Sequence, residues 1–346
     1  MKSWDVIVVG AGIIGVSLAL DLRERGASVL VLDRAEPGAE ASSAAAGMLA
    51  PADPETPIAL GELAKESARM FPAFVKKLES TGNMQVDFRQ VGTIALLPDV
   101  PAPPEYRSLS PAALESLEPS LRSAGHRAFF VQEDSVDPSL LMQAALSAAR
   151  NLTIDIRGHS TVKDLRAHNG AVEVLTEADT LAAASVVDCR GAWAGAPVRP
   201  RKGQMLYIQP QSAVLDHVLR TPDVYMVPRS SGKILVGATV EDVGFDKTVH
   251  QSAIQQLLNS SAKYLPPLAS APITHSWAGL RPGTPDDLPI LGPTDTARVF
   301  VATGHFRNGI LLAPVTAKIM ADLVAGHPSS LNIQAFSPAR FRSTGK

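Results

Sequence analysis

Four residues near the start of the chain have the types and the spacing to hold a dinucleotide. Gly10, Gly12 and Gly15 stand in the run Gly10-Ala11-Gly12-Ile13-Ile14-Gly15, and Asp33 follows 18 positions after the last of them. Gly10 lets the chain turn sharply. Gly12 lacks a Cβ, so a pyrophosphate can approach the backbone at a helix N-terminus, and Gly15 lets that helix pack close on its strands. Asp33 is placed to accept hydrogen bonds from a ribose. Glycines also serve plain turns, so the run carries meaning only between a strand and a helix. That context is present. Val6-Ile7-Val8-Val9 is a short apolar run, and Ile14, Leu18 and Leu22 mark one helix face. Gly26 stands at the helix end, and a second apolar run, Val29–Leu32, leads into Asp33 and Arg34. The spacing indicates a dinucleotide and leaves FAD and NAD both open.

Other stretches are composed to serve the same ligand. Ser42 and Ser43 could contact phosphate or ribose, and Ala46, Gly47 and Met48 could let a flat ring lie against the backbone; a helix start followed by a turn is the plain alternative. The apolar run Ala184–Cys189 stops at Arg190-Gly191-Ala192-Trp193, which suggests a second edge of the cofactor site at Gly191 and Trp193. A last strand, Val299–Thr303, breaks at Gly304-His305-Phe306-Arg307-Asn308-Gly309 into a closing helix from Ile310 to Leu323. Backbone N–H groups at that helix start could stabilise negative charge on a bound cofactor.

The elements between these stretches must position them. Residues 60–80 read as a helix with Leu63, Ser67, Met70, Phe74 and Leu78 on one face. Val86–Arg89 and Thr93–Leu97 flank Gln90-Val91-Gly92 as a hairpin. Ser110-Pro111 and Asp137-Pro138 open helices, and Asn169-Gly170 turns another hairpin. Residues 203–240 alternate as antiparallel strands turning at Ser230-Ser231-Gly232. A helix over 249–264 follows, then a strand Ile273–Gly279 that runs into a loop carrying Arg281. The tail 327–346 has little pattern, and its end is expected to be mobile. Nucleotide-binding pieces thus fall at the start, middle and end, with an antiparallel substrate sheet built from the two segments between.

Composition removes several classes. The chain has 346 residues, 45% of them apolar, and a net charge of −2, which gives no electrostatic case for nucleic acid. Its single cysteine, Cys189, excludes an intrachain disulfide framework and a cysteine metal cluster, and no metal is expected. No apolar run reaches the roughly 18 residues of a membrane span. With the first strand opening almost at once, a signal peptide is not expected and the location expected is cytoplasmic.

The opening fingerprint, the Ser42–Pro51 stretch, Asp188–Trp193, Arg281 within WAGLRPGTPDDLPILG and the run GHFRNGILLAPVT together resemble the D-amino-acid-oxidase-like flavoprotein family, most nearly its glycine-oxidizing branch, which serves thiamine biosynthesis. The resemblance covers Trp4 to about Leu323. It implies an α/β fold with a Rossmann-like FAD-binding domain (1–83, 137–198 and 282–330) and a discontinuous antiparallel substrate domain (84–136 and 199–281), followed by the tail. It also implies non-covalent FAD and oxidation of glycine, with sarcosine and small D-amino acids as further substrates. O2 would be the acceptor, with glyoxylate, ammonia and hydrogen peroxide as products. A same-fold dehydrogenase with another acceptor stays open, as does a homo-oligomer. By position, Arg281 corresponds to the arginine that grips the substrate carboxylate, a task suited to a planar, permanently charged fork. Tyr225 matches a tyrosine facing the substrate, although a core tyrosine fits its strand nearly as well. Arg307 resembles a second arginine at the site's mouth. Gly304, His305, Phe306, Asn308, Gly309 and Ile310 go to the cofactor-facing loop, and His305 is assigned there rather than as a base. Val240 stands where the glycine-oxidizing branch commonly has methionine; were it to line the pocket, the site would be roomier.

Overall fold

A computed structural model describes residues 3–99 and 101–342. Its first sheet is built around the strand Ser3–Val9. That strand lies parallel to Val29–Leu32 on one side and to Thr180–Asp188 on the other, and Asp155–Arg157 and Val299–Thr303 extend the parallel order outward. Val6 and Val8 face a layer of helices while Ile7 and Val9 face the opposite side. A strand covered on both faces gains nothing from alternation, which is why it reads as an unbroken apolar run. The helices Ile13–Glu24, Gly61–Gly82, Pro138–Asn151 and Ala313–Val324 supply the first cover. The second comes from the hairpin Val162–His168 and Ala171–Thr176, whose Val172 and Val174 pack with Ile7 and Leu30. Asn169 (φ 47°) and Gly170 (φ 78°) both take left-handed backbone, as the expected two-residue turn requires.

The second sheet has eight strands in the order Ile273–Gly283, Arg199–Ile208, Ile234–Gly237, Tyr225–Pro228, Val218–Arg220, Thr93–Leu97, Arg127–Val131 and Arg107–Leu109. Every neighbouring pair is antiparallel except Val218–Arg220 with Thr93–Leu97. Leu206, Ile234 and Val236 on one face pack under Ile254 and Leu257 of the helix Gln251–Tyr264. The other face carries Met205, Tyr225 and Trp277 and meets Ala46 and Met48 of the first unit. A small sheet of Met48–Leu49, Asp134–Val136 and Phe88–Arg89 joins the two.

Several elements differ from expectation. Phe88–Arg89 and Thr93–Leu97 form no hairpin; they belong to different sheets, because the chain crosses from one to the other at Gly92. The helix Gly61–Gly82 buries Phe71 and Val75 rather than Met70 and Phe74, following the drift of the stripe Leu63, Ser67, Phe71, Val75, Leu78, and Pro72 lies on its exposed side. Arg281 stands within a strand, since Ile273–Gly283 pairs with Arg199–Ile208 down to Gly283. The closing helix begins at Ala313, where Pro314 suits its first turn, and the preceding residues form a short turn Phe306–Asn308. The tail is docked through Arg342. Phe336 is buried in the first core and Arg340 Nε stands 2.8 Å from Asp286 Oδ2; Ser343–Lys346 lie outside the described residues.

Candidate cofactor and substrate site

A single elongated cavity runs from the Gly10–Ile14 turn to the face of the second sheet, enclosing about 1790 Å³ of atom-free space with its open mouth included. At one end the fingerprint acts through close backbone approach. A Cβ on Gly10 would stand 2.6 Å from the carbonyl carbon of Cys189, and one on Gly15 would overlap the carbonyl oxygen of Gly10. Gly15 therefore works from behind and does not line the cavity, unlike Gly10, Gly12, Ile13 and Ile14. The helix Ile13–Glu24 has no capping side chain at Gly12 and no acidic residue in its first turn. The Ile13 N–H instead donates to Ser42 Oγ (2.9 Å), so Ser42 serves the helix start as well as the cavity wall. Gly12, Ile13 and Ile14 line the cavity at the positive end of the helix dipole, an arrangement suited to a pyrophosphate.

Asp33 is fixed by two backbone donors. Ala11 N–H donates to its Oδ2 (2.7 Å) and Ala35 N–H to its Oδ1 (2.9 Å), which holds the carboxylate at the cavity edge with lone pairs to spare. Beside it the Arg34 guanidinium lies 3.8 Å above the Trp193 ring, and Trp193 stacks on Phe245. Ser160, Thr161 and Val162 complete this end; their role was missed because they belong to a strand start with no motif. Gly191 has open space where a Cβ would be. Gly309 has its nearest atom at an ordinary 3.6 Å, His305 Cβ, so the protein alone would tolerate a side chain there; a cradle bare on the cavity side fits a flat ring system. The thiol of Cys189 is pushed well above its ordinary pKa by burial.

Toward the second sheet the walls are Ala44–Met48, His305–Arg307, Gly309, Ile310, Met205, Tyr225 and Arg281. Gly47 needs its left-handed φ of 79°, and a Cβ there would overlap the Val136 carbonyl oxygen. Ser43, Gly304 and Asn308, expected at the cofactor, do not line the cavity. Ser43 Oγ donates to Gly38 O (2.7 Å), Gly304 backs onto Thr284, and Asn308 N–H donates to His305 O in the short turn. His305 does line it, but its ring is buried and Nε2 lies 3.1 Å from Thr316 Oγ1; burial takes its pKa down to about 3. Val240 is 53% exposed and forms no part of the wall, so the roomier pocket expected from it does not follow.

Sheet register sets the substrate end. Tyr225, Gly237, Met205 and Trp277 stand in one row across four strands. Arg281 lies on the same face two rows further, opposite Arg201, and leans back so that its guanidinium covers Gly203 while Nη1 donates to Thr239 O (3.2 Å). The Tyr225 ring covers Gly237, with its hydroxyl 3.5 Å from Met205 Sδ. Burial raises the Tyr225 pKa against the opposing pull of Arg281, which keeps the hydroxyl a donor. Arg307 is at the mouth, paired with Glu55. Two further positions went unread. Arg229, 4% exposed, donates to Ala46 O (2.6 Å) and Val136 O (2.9 Å) behind the ring cradle, and Met205 closes the pocket floor. The arginine that ends the apolar run Val224–Pro228 was the available signal for the first. Arg281 lines this end of the cavity with no carboxylate partner among the described residues, which favours a carboxylate ligand.

The chain is similar to known proteins along its whole length. It is 36% identical over 361 residues to the bifunctional protein ThiO/ThiG of Trichormus variabilis, covering 98% of this chain but 55% of that protein, so the chain spans about half the length of that relative. It is 32% identical to a glycine oxidase of Bacillus licheniformis, with 98% of each covered. A crystal structure of glycine oxidase from Geobacillus kaustophilus superposes with a TM-score of 0.93 at 29% identity, covering 99% of this chain and all of that one. Residues 5–323 match the family described as FAD dependent oxidoreductase, and the chain belongs to that family.

Proposed function

We propose that this chain oxidises the amine of glycine, and of small relatives such as sarcosine and D-alanine, to an imine that water hydrolyses. For glycine the balance is glycine, O2 and water giving glyoxylate, ammonia and hydrogen peroxide. FAD bound in the cavity supplies the two-electron acceptor that O2 regenerates. Gly10, Gly12, Ile13 and Ile14 would hold its pyrophosphate, Asp33 its ribose, and Ala46–Met48 with His305–Arg307, Gly309 and Ile310 its ring. The observation that carries the substrate reading is the Arg281 guanidinium laid on Gly203 beside the protonated Tyr225 hydroxyl, on the wall facing the ring cradle. Arg281 offers two parallel N–H donors to the carboxylate and Tyr225 a third hydrogen bond, which fixes Cα relative to the ring. No side chain is placed as a general base, because His305 Nε2 is engaged by Thr316 and stays neutral. The amine is therefore taken from solution in its neutral form. A buried thiol held protonated offers no thiolate for covalent attachment of the flavin.

The same reading divides the chain into a cofactor domain (1–83, 137–198, 282–330) and a substrate domain (84–136, 199–281), and places the enzyme in the cytoplasm with a role in making the thiazole of thiamine. A peroxide-coupled assay of glycine, sarcosine and D-alanine tests it. We expect steady peroxide production with glycine, and a rise of about 100-fold or more in KM for Arg281→Ala, the loss expected of a bidentate charged pair. An unchanged KM in that variant would refute the assignment, and turnover only with an added quinone or dye would make the chain a dehydrogenase.

A further inference from the structure

Two buried glycines of the second sheet lie directly under side chains of the substrate end. Gly203 is a buried mid-strand residue and Gly237 the buried last residue of Ile234–Gly237, joined to Ala238 by a cis peptide bond; neither has a positive φ. A strand gains from a side chain at such positions, and glycine there marks the close approach of something else. Here that something is the substrate-binding pair. A Cβ on Gly203 would stand 2.6 Å from Arg281 Cζ and nearer still to both terminal nitrogens. A Cβ on Gly237 would stand 2.7 Å from both Cζ and the hydroxyl oxygen of Tyr225. At Gly10, Gly15 and Gly47 the obstacle is backbone, so a substitution deforms the chain. At Gly203 and Gly237 each nearest atom belongs to one of the two side chains assigned to the carboxylate.

We propose that Gly203 and Gly237 are positioning residues, whose missing side chains set where the Arg281 guanidinium and the Tyr225 hydroxyl stand and so fix the depth of the carboxylate site. The inference rests on the functional reading above. The register supports it: Gly203 and Gly237 stand on adjacent strands in adjacent rows of the same face, one row from Arg281 and directly opposite Tyr225. The guanidinium lies on the bare strand at Gly203, where its Nη1 reaches the Thr239 carbonyl just past the end of the next strand. An alanine at 203 lifts the guanidinium off the strand by about 1 Å, a displacement of the size that costs on the order of 100-fold when it misplaces a substrate.

The test uses the FAD-loaded enzyme and acetate as a minimal carboxylate, with binding read from the visible spectrum of the flavin. We expect Gly203→Ala to weaken acetate about 100-fold and Gly237→Ala about tenfold, with flavin content and thermal midpoint as in the wild type. In an Arg281→Ala background, Gly203→Ala should add no further loss, since the group it displaces is gone. Gly203→Ala binding acetate like the wild type, while Arg281→Ala has lost it, would overturn the inference and leave the functional reading intact. Arg281→Ala binding acetate like the wild type would instead overturn the reading itself. A Gly203→Ala protein without the wild-type far-UV circular dichroism would also overturn the positioning role, because the glycine would then serve the backbone.

Discussion

At the scale of single residues, burial decides what His305 can do. Its folded pKa of about 3 lies below the ordinary value of about 6.5, so the unfolded chain takes up a proton that the folded one refuses. That contribution to stability is fully present above pH 6.5. It is lost by up to about 1.4 kcal/mol per pH unit as the pH falls from 6.5 toward 3. Urea denaturation between pH 6.5 and 5 checks this. The wild type should lose stability across that range, and His305→Gln should show a flatter profile. The glycines and Asp33 were legible in the sequence because their work is local: a turn, a helix start, a strand end. Arg229 and Gly203 were not, because what each touches is set by strands distant in sequence.

At the scale of elements, the strand–turn–helix at the chain start holds its geometry through a backbone contact that cannot relax. Gly15→Ala drives a methyl into the Gly10 carbonyl, so it should cost about 1–3 kcal/mol and lower the flavin retained on purification, measured by denaturant melts and by absorbance at the flavin band. A second element-level device ties the segment after the ring cradle to the second sheet. Arg220, from the strand Val218–Arg220, stands 3.2 Å from Asp53 and 2.9 Å from the buried Glu133, and donates to the Tyr106 hydroxyl (2.6 Å). Burial raises the Glu133 pKa, against the pull of Arg220. Arg220→Met should therefore destabilise by about 3–5 kcal/mol, and adding Glu133→Gln should restore much of it, as a double-mutant cycle in urea would show. Sequence periodicity found the elements with strong local signals, such as the Asn169-Gly170 hairpin and the helix capped at Asp137. It paired the strands around Gly92 wrongly, because a turn signal does not say which sheet each flank will join.

At the scale of the whole molecule, the closing segment is part of the core. Phe336 is 1% exposed against the helix layer of the first sheet, so Phe336→Ala should cost about 3–5 kcal/mol, visible as a lowered thermal midpoint in the flavin-loaded protein. The sequence concealed this because one buried aromatic in a short turn leaves no periodicity to read. The interleaved plan of the two sheets was legible, since apolar runs ending in glycine alternate with stretches of strict alternation. Arg281 on a strand, instead of in a loop, was not, because Pro282 and Gly283 mimic a turn.

The cavity walls are drawn from residues 9–48, 160–205, 225 and 279–310, so no contiguous stretch of chain makes the site. A ligand bound across these pieces stabilises the folded form by an amount that grows with the logarithm of its concentration above Kd. Flavin supply and protein abundance are therefore expected to be coupled: with little FAD the apoprotein should open more often and be degraded sooner. Pulse proteolysis at graded FAD concentrations would show the coupling directly as cleavage that slows with added FAD.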